Sequence, residues 1–191
     1  MTKEAAKPQK ARKKTVLPKY LSIDELKALL SAPYKTNHRH ILMMKYGCKC
    51  GLRNAEICNV KVSDHNFIEH NMIVFGKGSK DRMVPVPLDF ENDIKKYVGD
   101  KNLIGGDRLW DMTPKGLYAM VKRYGIRADI DKNVHPHVLR HTYAVHGLKA
   151  GWNLRTLQKA LGHKSLTTTQ VYLEITDGDM ADDMMRHPLP Y

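Results

Sequence analysis

A chain of 191 residues with 42% hydrophobic and 27% charged side chains suits one globular domain with its own core, which excludes a large multidomain enzyme. Lys and Arg number 32 against 20 Asp and Glu, a formal charge of +12, so the expected partner is a polyanion, with nucleic acid ahead of an anionic membrane. No apolar run reaches the roughly 18 residues of a membrane span, and Met1 opens a lysine-rich stretch without an apolar signal-peptide core, so a cytoplasmic protein is expected.

Along the chain, residues 1–16 read as a disordered basic arm, because the first twenty residues carry seven Lys/Arg and one Glu, include Pro8 and Pro18, and lack apolar periodicity. Order is expected from Leu21. Ser22-Ile23-Asp24-Glu25 fits a capping box, and Ile23, Leu26, Leu29 and Leu30 follow at helical spacing. A second helix is predicted over residues 40–49, broken by Gly51 and resumed over 54–60, which puts Arg53 at a junction that projects into a cleft. Residues 72–75 and 83–86 read as two strands joined by a Gly-containing hairpin loop, and Pro85 and Pro87 place the second at an edge. Helical patterns follow at 89–98, 113–127, 137–150, 153–161, 167–172 and 179–186, punctuated by Gly151 and Gly162. The class is therefore mainly α with one small antiparallel sheet (α+β), without internal repeats. Cys48, Cys50 and Cys58 are an odd number in a domain of this size, so reduced, half-buried packing thiols are expected instead of a disulfide framework.

The chemistry-bearing residues come in clusters. His137, Arg140 and His141 stand at i, i+3 and i+4, so they share one helical face near its N-terminus. His163, closing Leu161-Gly162-His163, stands 22 residues beyond His141, and Tyr172 comes nine residues after His163. Arg53 and Lys77 add cations from the N-terminal half. Guanidinium forks bind both non-bridging oxygens of a phosphodiester, imidazoles exchange protons, and a phenol attacks phosphorus. Singly, each residue has a plainer reading: Arg53 and Glu56 as a surface ion pair, Lys77 as a solvated turn, the histidines as core residues and Tyr172 as packing.

Taken together, Gly51-Leu52-Arg53-Asn54-Ala55-Glu56-Ile57, Gly76-Lys77-Gly78, His137-Val138-Leu139-Arg140-His141, Leu161-Gly162-His163 and Tyr172 closely resemble the catalytic domain of the tyrosine recombinases, the phage-type integrase family with its Xer-like members. The resemblance runs from about Leu17 to His187-Pro188-Leu189, some nine-tenths of the chain, and five motifs in order at family spacing make it specific. It implies the DNA breaking-rejoining fold over residues 17–191. It also implies site-specific cleavage and rejoining of double-stranded DNA through a covalent 3′-phosphotyrosine, serving integration, excision or chromosome-dimer resolution. Arg53 and Arg140 would clamp the scissile phosphate, Lys77 would protonate the leaving 5′-oxygen, and His137 and His163 would assist proton transfer and phosphate binding. Tyr172 would be the nucleophile, Glu56 would orient Arg53, and His141 would pack or support the site. No cofactor or metal is implied, and the active form would be a homotetramer on two DNA sites, with a monomer in the absence of DNA. Members of the family usually carry an N-terminal core-binding domain, which is expected to be absent here. The acidic, methionine-rich residues 179–186 resemble the tail that docks on a neighbouring protomer.

Physical chemistry points the same way. A Tyr phenol of pKa about 10 is ionised to roughly one part in a thousand at pH 7, so nearby cations must help activate it. Paired arginines stabilise charge gathering on the phosphate without a metal, and exchange of one phosphoester for another needs no ATP. Two other readings stay open. A zinc site on His135, His137 and His141 lacks Asp or Cys ligands at suitable spacing. A catalytically idle basic DNA-binding module lacks a helix-turn-helix, zinc-finger or RNA-binding signature, and covalent trapping on DNA would separate it from the enzyme.

Overall fold

The computed structural model describes residues 19–34, 37–76, 81–163 and 165–173. The chain starts with α1 (Ile23–Ser31), whose capping box is made as the sequence predicts: Ser22 Oγ accepts the Glu25 N–H at 3.2 Å and the Glu25 carboxylate accepts the Ser22 N–H at 2.7 Å. The second helix, α2 (His38–Cys50), begins two residues earlier than predicted and runs through the core, with Met43, Met44, Tyr46 and Cys50 fully enclosed. Gly51 stops it in the left-handed region at φ 65°, where an added Cβ would lie 2.6 Å from the Tyr143 ring. Glycine is required there by both backbone and space. The chain then re-enters helix as α3 (Asn54–Asn59), with Arg53 at the junction.

Three antiparallel strands follow in the order β1 (His65–Asn66), β2 (Asn71–Val74) and β3 (Arg82–Pro85), with Met72 opposite Val84 and Val74 opposite Arg82. β2 and β3 sit one residue earlier than predicted, and β1, at two residues, is too short to show an alternation in sequence. β3 is an edge strand, as Pro85 requires. The remaining helices are α4 (Leu88–Asp100), α5 (Pro114–Arg127), α6 (Pro136–Lys149), α7 (Leu154–Leu161) and the single turn α8 (Thr167–Gln170). Thr113 and Asn153 cap α5 and α7 by accepting N–H bonds from Gly116 and Thr156. The mainly helical class with one small sheet is the one expected; residues 1–16, Lys77 and 179–186 lie outside the described residues.

The three cysteines are free packing thiols as expected, but they are buried where half-burial was predicted. Burial pushes Cys48 up to about 12 and Cys58 up to about 11. They sit on α2 and α3, whose inner faces have no solvent side, so they behave as small apolar groups.

α6 joins two apolar clusters. Its Val138 and Leu139 belong to the large core built by α1 to α5 and the sheet, whereas Tyr143, Ala144 and Val145 belong to a smaller cluster with Leu157, Leu161 and Tyr172. Arg140 sits between these two sets, only 4% exposed. A guanidinium so placed must find partners, and those partners define the site.

Candidate active site

The last turn of a helix leaves carbonyls without intrahelical partners and carries the negative end of the helix dipole. At the end of α7 these carbonyls are bound by three arginines from three different elements. Arg82 Nε on β3 donates to Ala160 O at 2.8 Å, Arg140 Nη2 on α6 to Leu161 O at 2.7 Å, and Arg53 Nη2 at the α3 junction to Gly162 O at 3.0 Å. Arg140 Nη1 also donates to Gly51 O at 2.6 Å, which ties the end of α2 to the end of α7.

Glu56 ties two of the three, Arg53 and Arg82, together. Its carboxylate accepts both Arg82 nitrogens at 2.9 and 2.8 Å, Arg53 Nη1 at 2.8 Å and the Arg53 backbone N–H at 2.7 Å. Burial pushes its pKa up, but the bonds and charge of Arg82, followed by Arg53, outweigh burial and bring it down to about 2. Arg140 is lowered to about 10, by burial first and then by Arg53, and so stays protonated at neutral pH.

Four further sequence-predicted residues, His163, His137, Tyr172 and His141, gather on this frame, whereas Lys77 lies outside the described residues. His163 follows Gly162 directly and shares a hydrogen bond between its Nδ1 and Thr169 Oγ1 at 3.0 Å; burial and then the three arginines lower it to about 4. His137 stands exposed on the first turn of α6, lowered by partial burial, then by Arg140 and Arg53. Tyr172 is 3% exposed, with its Oη 2.7 Å from His141 Nδ1. His141 therefore contacts the phenol directly, a closer part than the packing or support read from sequence. Burial raises the Tyr172 pKa and Arg140 opposes it only in part, so in the free protein the phenol is protonated instead of cation-activated. A groove of about 620 Å³ opens beside Arg53, Glu56 and His163 and extends past Phe75, two residues before Lys77.

Sequence reasoning missed Arg82. It occupies the inward register of β3 together with Val84, and a charged residue in an apolar alternation was the available signal. Outside this group, His146 Nε2 donates to Leu21 O at 2.9 Å, and the ring of His135 stacks on Tyr118 at 5.5 Å. Among the described residues no group of three or more His, Cys, Asp or Glu is disposed to hold a metal ion, so the zinc reading finds no ligand set there.

Residues 19–178 match the phage integrase family. The chain belongs to that family. As a phage integrase family member it is 40% identical over 185 residues to the tyrosine recombinase XerA of Thermococcus onnurineus (strain NA1), covering 91% of this chain and 63% of that protein. It is 34% identical over 180 residues to the tyrosine recombinase XerD of Staphylococcus haemolyticus (strain JCSC1435), covering 84% and 59%. The chain thus spans about three-fifths of the length of these relatives. A crystal structure of XerA recombinase superposes with a TM-score of 0.79 at 32% identity, covering 92% of this chain and 67% of that one. The XerH site-specific recombinase bound to its palindromic difH substrate, in a post-cleavage complex, superposes with a TM-score of 0.72 at 26% identity, covering 90% and 54%.

Proposed function

We propose that this family member is the catalytic domain of a site-specific DNA recombinase that breaks and rejoins strands through a 3′-phosphotyrosine, without metal or ATP. The observation that carries this reading is the convergence of Arg53, Arg140, His163 and the Tyr172–His141 pair around the seam of α6 and α7. Arg53 and Arg140 bind the scissile phosphate, and their bonds to fixed carbonyls leave little reorganisation to be done when charge develops. His137 and His163 donate to phosphate oxygens. Tyr172 Oη forms the bond to phosphorus as the bond to the 5′-oxygen breaks, and Lys77 supplies the proton to that oxygen. Rejoining reverses the exchange, so the phosphoester is conserved throughout. In this reading residues 17–191 form the catalytic domain, 1–16 a basic arm that adds salt-sensitive phosphate contacts, and the working state is a tetramer on two double-stranded DNA sites, monomeric without DNA. Its place is the cytoplasm, with the DNA; among the described residues no helix is long and apolar enough to cross a membrane.

The test is covalent trapping. A nicked suicide duplex, carrying a site that the protein itself selects from a random pool, gives a slow-migrating protein–DNA adduct in excess EDTA, and Tyr172→Phe abolishes it. An adduct with Tyr172→Phe moves the nucleophile to Tyr143 or Tyr191. Binding without any adduct leaves a DNA-binding module. A duplex with sulfur in place of the 5′-bridging oxygen restores cleavage to Lys77→Ala but not to Arg140→Ala, because a thiolate leaves without a proton; equal rescue of both removes Lys77 from the acid role.

A further inference from the structure

The reaction needs a destination for the phenolic proton of Tyr172, and the assistance to proton transfer expected of His137 and His163 does not name the acceptor. We propose that His141 is the proton acceptor for Tyr172 in strand cleavage, and the donor that returns the proton in rejoining. The inference rests on Tyr172 being the nucleophile.

The geometry is that of a general base already in contact. Oη and Nδ1 are 2.7 Å apart, within the reach a proton transfer requires, and the two rings lie 5.7 Å apart at 53°. The imidazole stands on the middle of α6, one residue beyond Arg140, so the helix that presents the phosphate clamp also presents the base. The other histidines are differently engaged: His163 Nδ1 faces Thr169 Oγ1, and His137 is exposed a turn earlier on α6. For Nδ1 to accept, the proton of the neutral ring must sit on Nε2.

The charge on His141 suits such a role. The titratable and charged groups around it are Arg140, His137 and His135 from α6 and its N-cap, His163 after α7, and Tyr172 itself. Burial first, then His137, Arg140 and His135, bring it down to about 4, so it is neutral and its lone pair is available. In the free protein, transfer from a phenol raised by burial to an imidazole so lowered is uphill, and the nucleophile rests protonated. A phosphodiester anion bound by Arg140 cancels part of the field that holds the imidazole down. Its basicity rises when the substrate arrives, and proton transfer runs with bond formation at phosphorus. The balance is complete: the Oη–H bond breaks as Oη–P forms, the proton goes to Nδ1, and the P–O5′ bond breaks with a proton from Lys77. In rejoining, the imidazolium returns its proton to the departing phenol.

The experiment is single-turnover cleavage of the selected nicked duplex as a function of pH. In the wild type the rate is flat between pH 7 and 8.5, because the base is already deprotonated. His141→Phe keeps a ring against Tyr172 but cannot take a proton. Its cleavage is expected about 100-fold slower at pH 7, with DNA affinity within about twofold, and its rate rises about tenfold per pH unit because only the phenolate reacts. His141→Gln, which offers the phenol an acceptor oxygen without basicity, shows the same slope, and its thermal unfolding checks that the fold is intact. Neither variant is rescued by the 5′-bridging sulfur duplex, which separates them from Lys77→Ala. A His141→Phe protein that cleaves at or above the wild-type rate, or one whose loss is the same at every pH, overturns the proposal. An adduct that survives Tyr172→Phe overturns the nucleophile assignment and the base role with it, whereas a null Tyr172→Phe beside a pH-independent His141→Phe removes the base role alone.

Discussion

The site has two ends built in opposite ways. At the cation end, the Glu56 carboxylate takes four donors from Arg53 and Arg82, and Arg53, Arg82 and Arg140 each hold a main-chain carbonyl at the end of α7. At the end proposed to hold the nucleophile, Tyr172 follows the single turn α8, in a cluster much smaller than the main core, with its oxygen against the His141 imidazole. Charge stabilisation demands donors fixed before the reaction begins. A nucleophile that must exchange a proton for a phosphorus bond needs a neutral, adjustable contact. In the proposed mechanism the fixed donors fall where misorientation costs rate, and the neutral Tyr172–His141 contact falls where the bonding changes.

Breaking the cation end should have the largest effect. Glu56→Ala leaves Arg82, whose side chain is 7% exposed, without its bidentate partner; uncompensated charges of this kind cost about 3–5 kcal/mol, read as a fall in the urea midpoint. A loss below about 1 kcal/mol would mean that water repairs the gap and that the Glu56 carboxylate is not the anchor described. Arg140→Ala comes next, with cleavage slowed about 100- to 1000-fold while DNA affinity falls much less, since in the proposed mechanism its fork serves charge that grows in the transition state. Comparable losses in both would make it a binding residue.

Acid separates the two ends. His141 and His163 have folded pKa values of about 4 against an ordinary 6.5, so their stability contribution is full above pH 6.5 and is lost as pH falls towards 4. Glu56 is held at about 2 against 4.5, so its contribution is full above pH 4.5 and is lost only as pH falls through 2. Hydrogen-exchange protection in α7 and α8, corrected for the intrinsic rate at each pH, should therefore fall between pH 6 and 4.5 while α2 and α3 remain protected; simultaneous loosening would erase the distinction. The smallest effect is expected from Thr169→Val, which removes the hydroxyl facing His163 Nδ1 at about 1 kcal/mol and slows cleavage a few-fold at most.

What the sequence reveals here is set by range. The Ser22–Glu25 capping box, the Thr113 and Asn153 caps and the stops at Gly51 and Gly162 are local, and the helices they bound lie within a residue or two of expectation. Arg53 and Glu56 are three apart on one turn, so their pairing was readable. The Arg82–Glu56 bridge joins residues 26 apart through a strand of four residues, and no local period announces it. The His141–Tyr172 bond crosses 31 residues and depends on how α8 folds back over α6, which is why His141 read as a supporting residue beside the family motif. The raised phenol pKa was invisible for the same reason: sequence displays the nearby cations but not the enclosure that opposes them.

The length of α7 carries a consequence of its own. Its eight residues run between the Asn153 cap and the left-handed turn at Gly162, where an added Cβ would meet Arg82 at 2.9 Å. Since consecutive carbonyls at its end each receive a different arginine, one inserted or deleted residue would rotate that end by about 100° and take all three acceptors out of register together. Substitutions on its exposed face should be absorbed, whereas changes in length should not. The helix works as a gauge block: its outer surface is free to drift, and its count of residues is not.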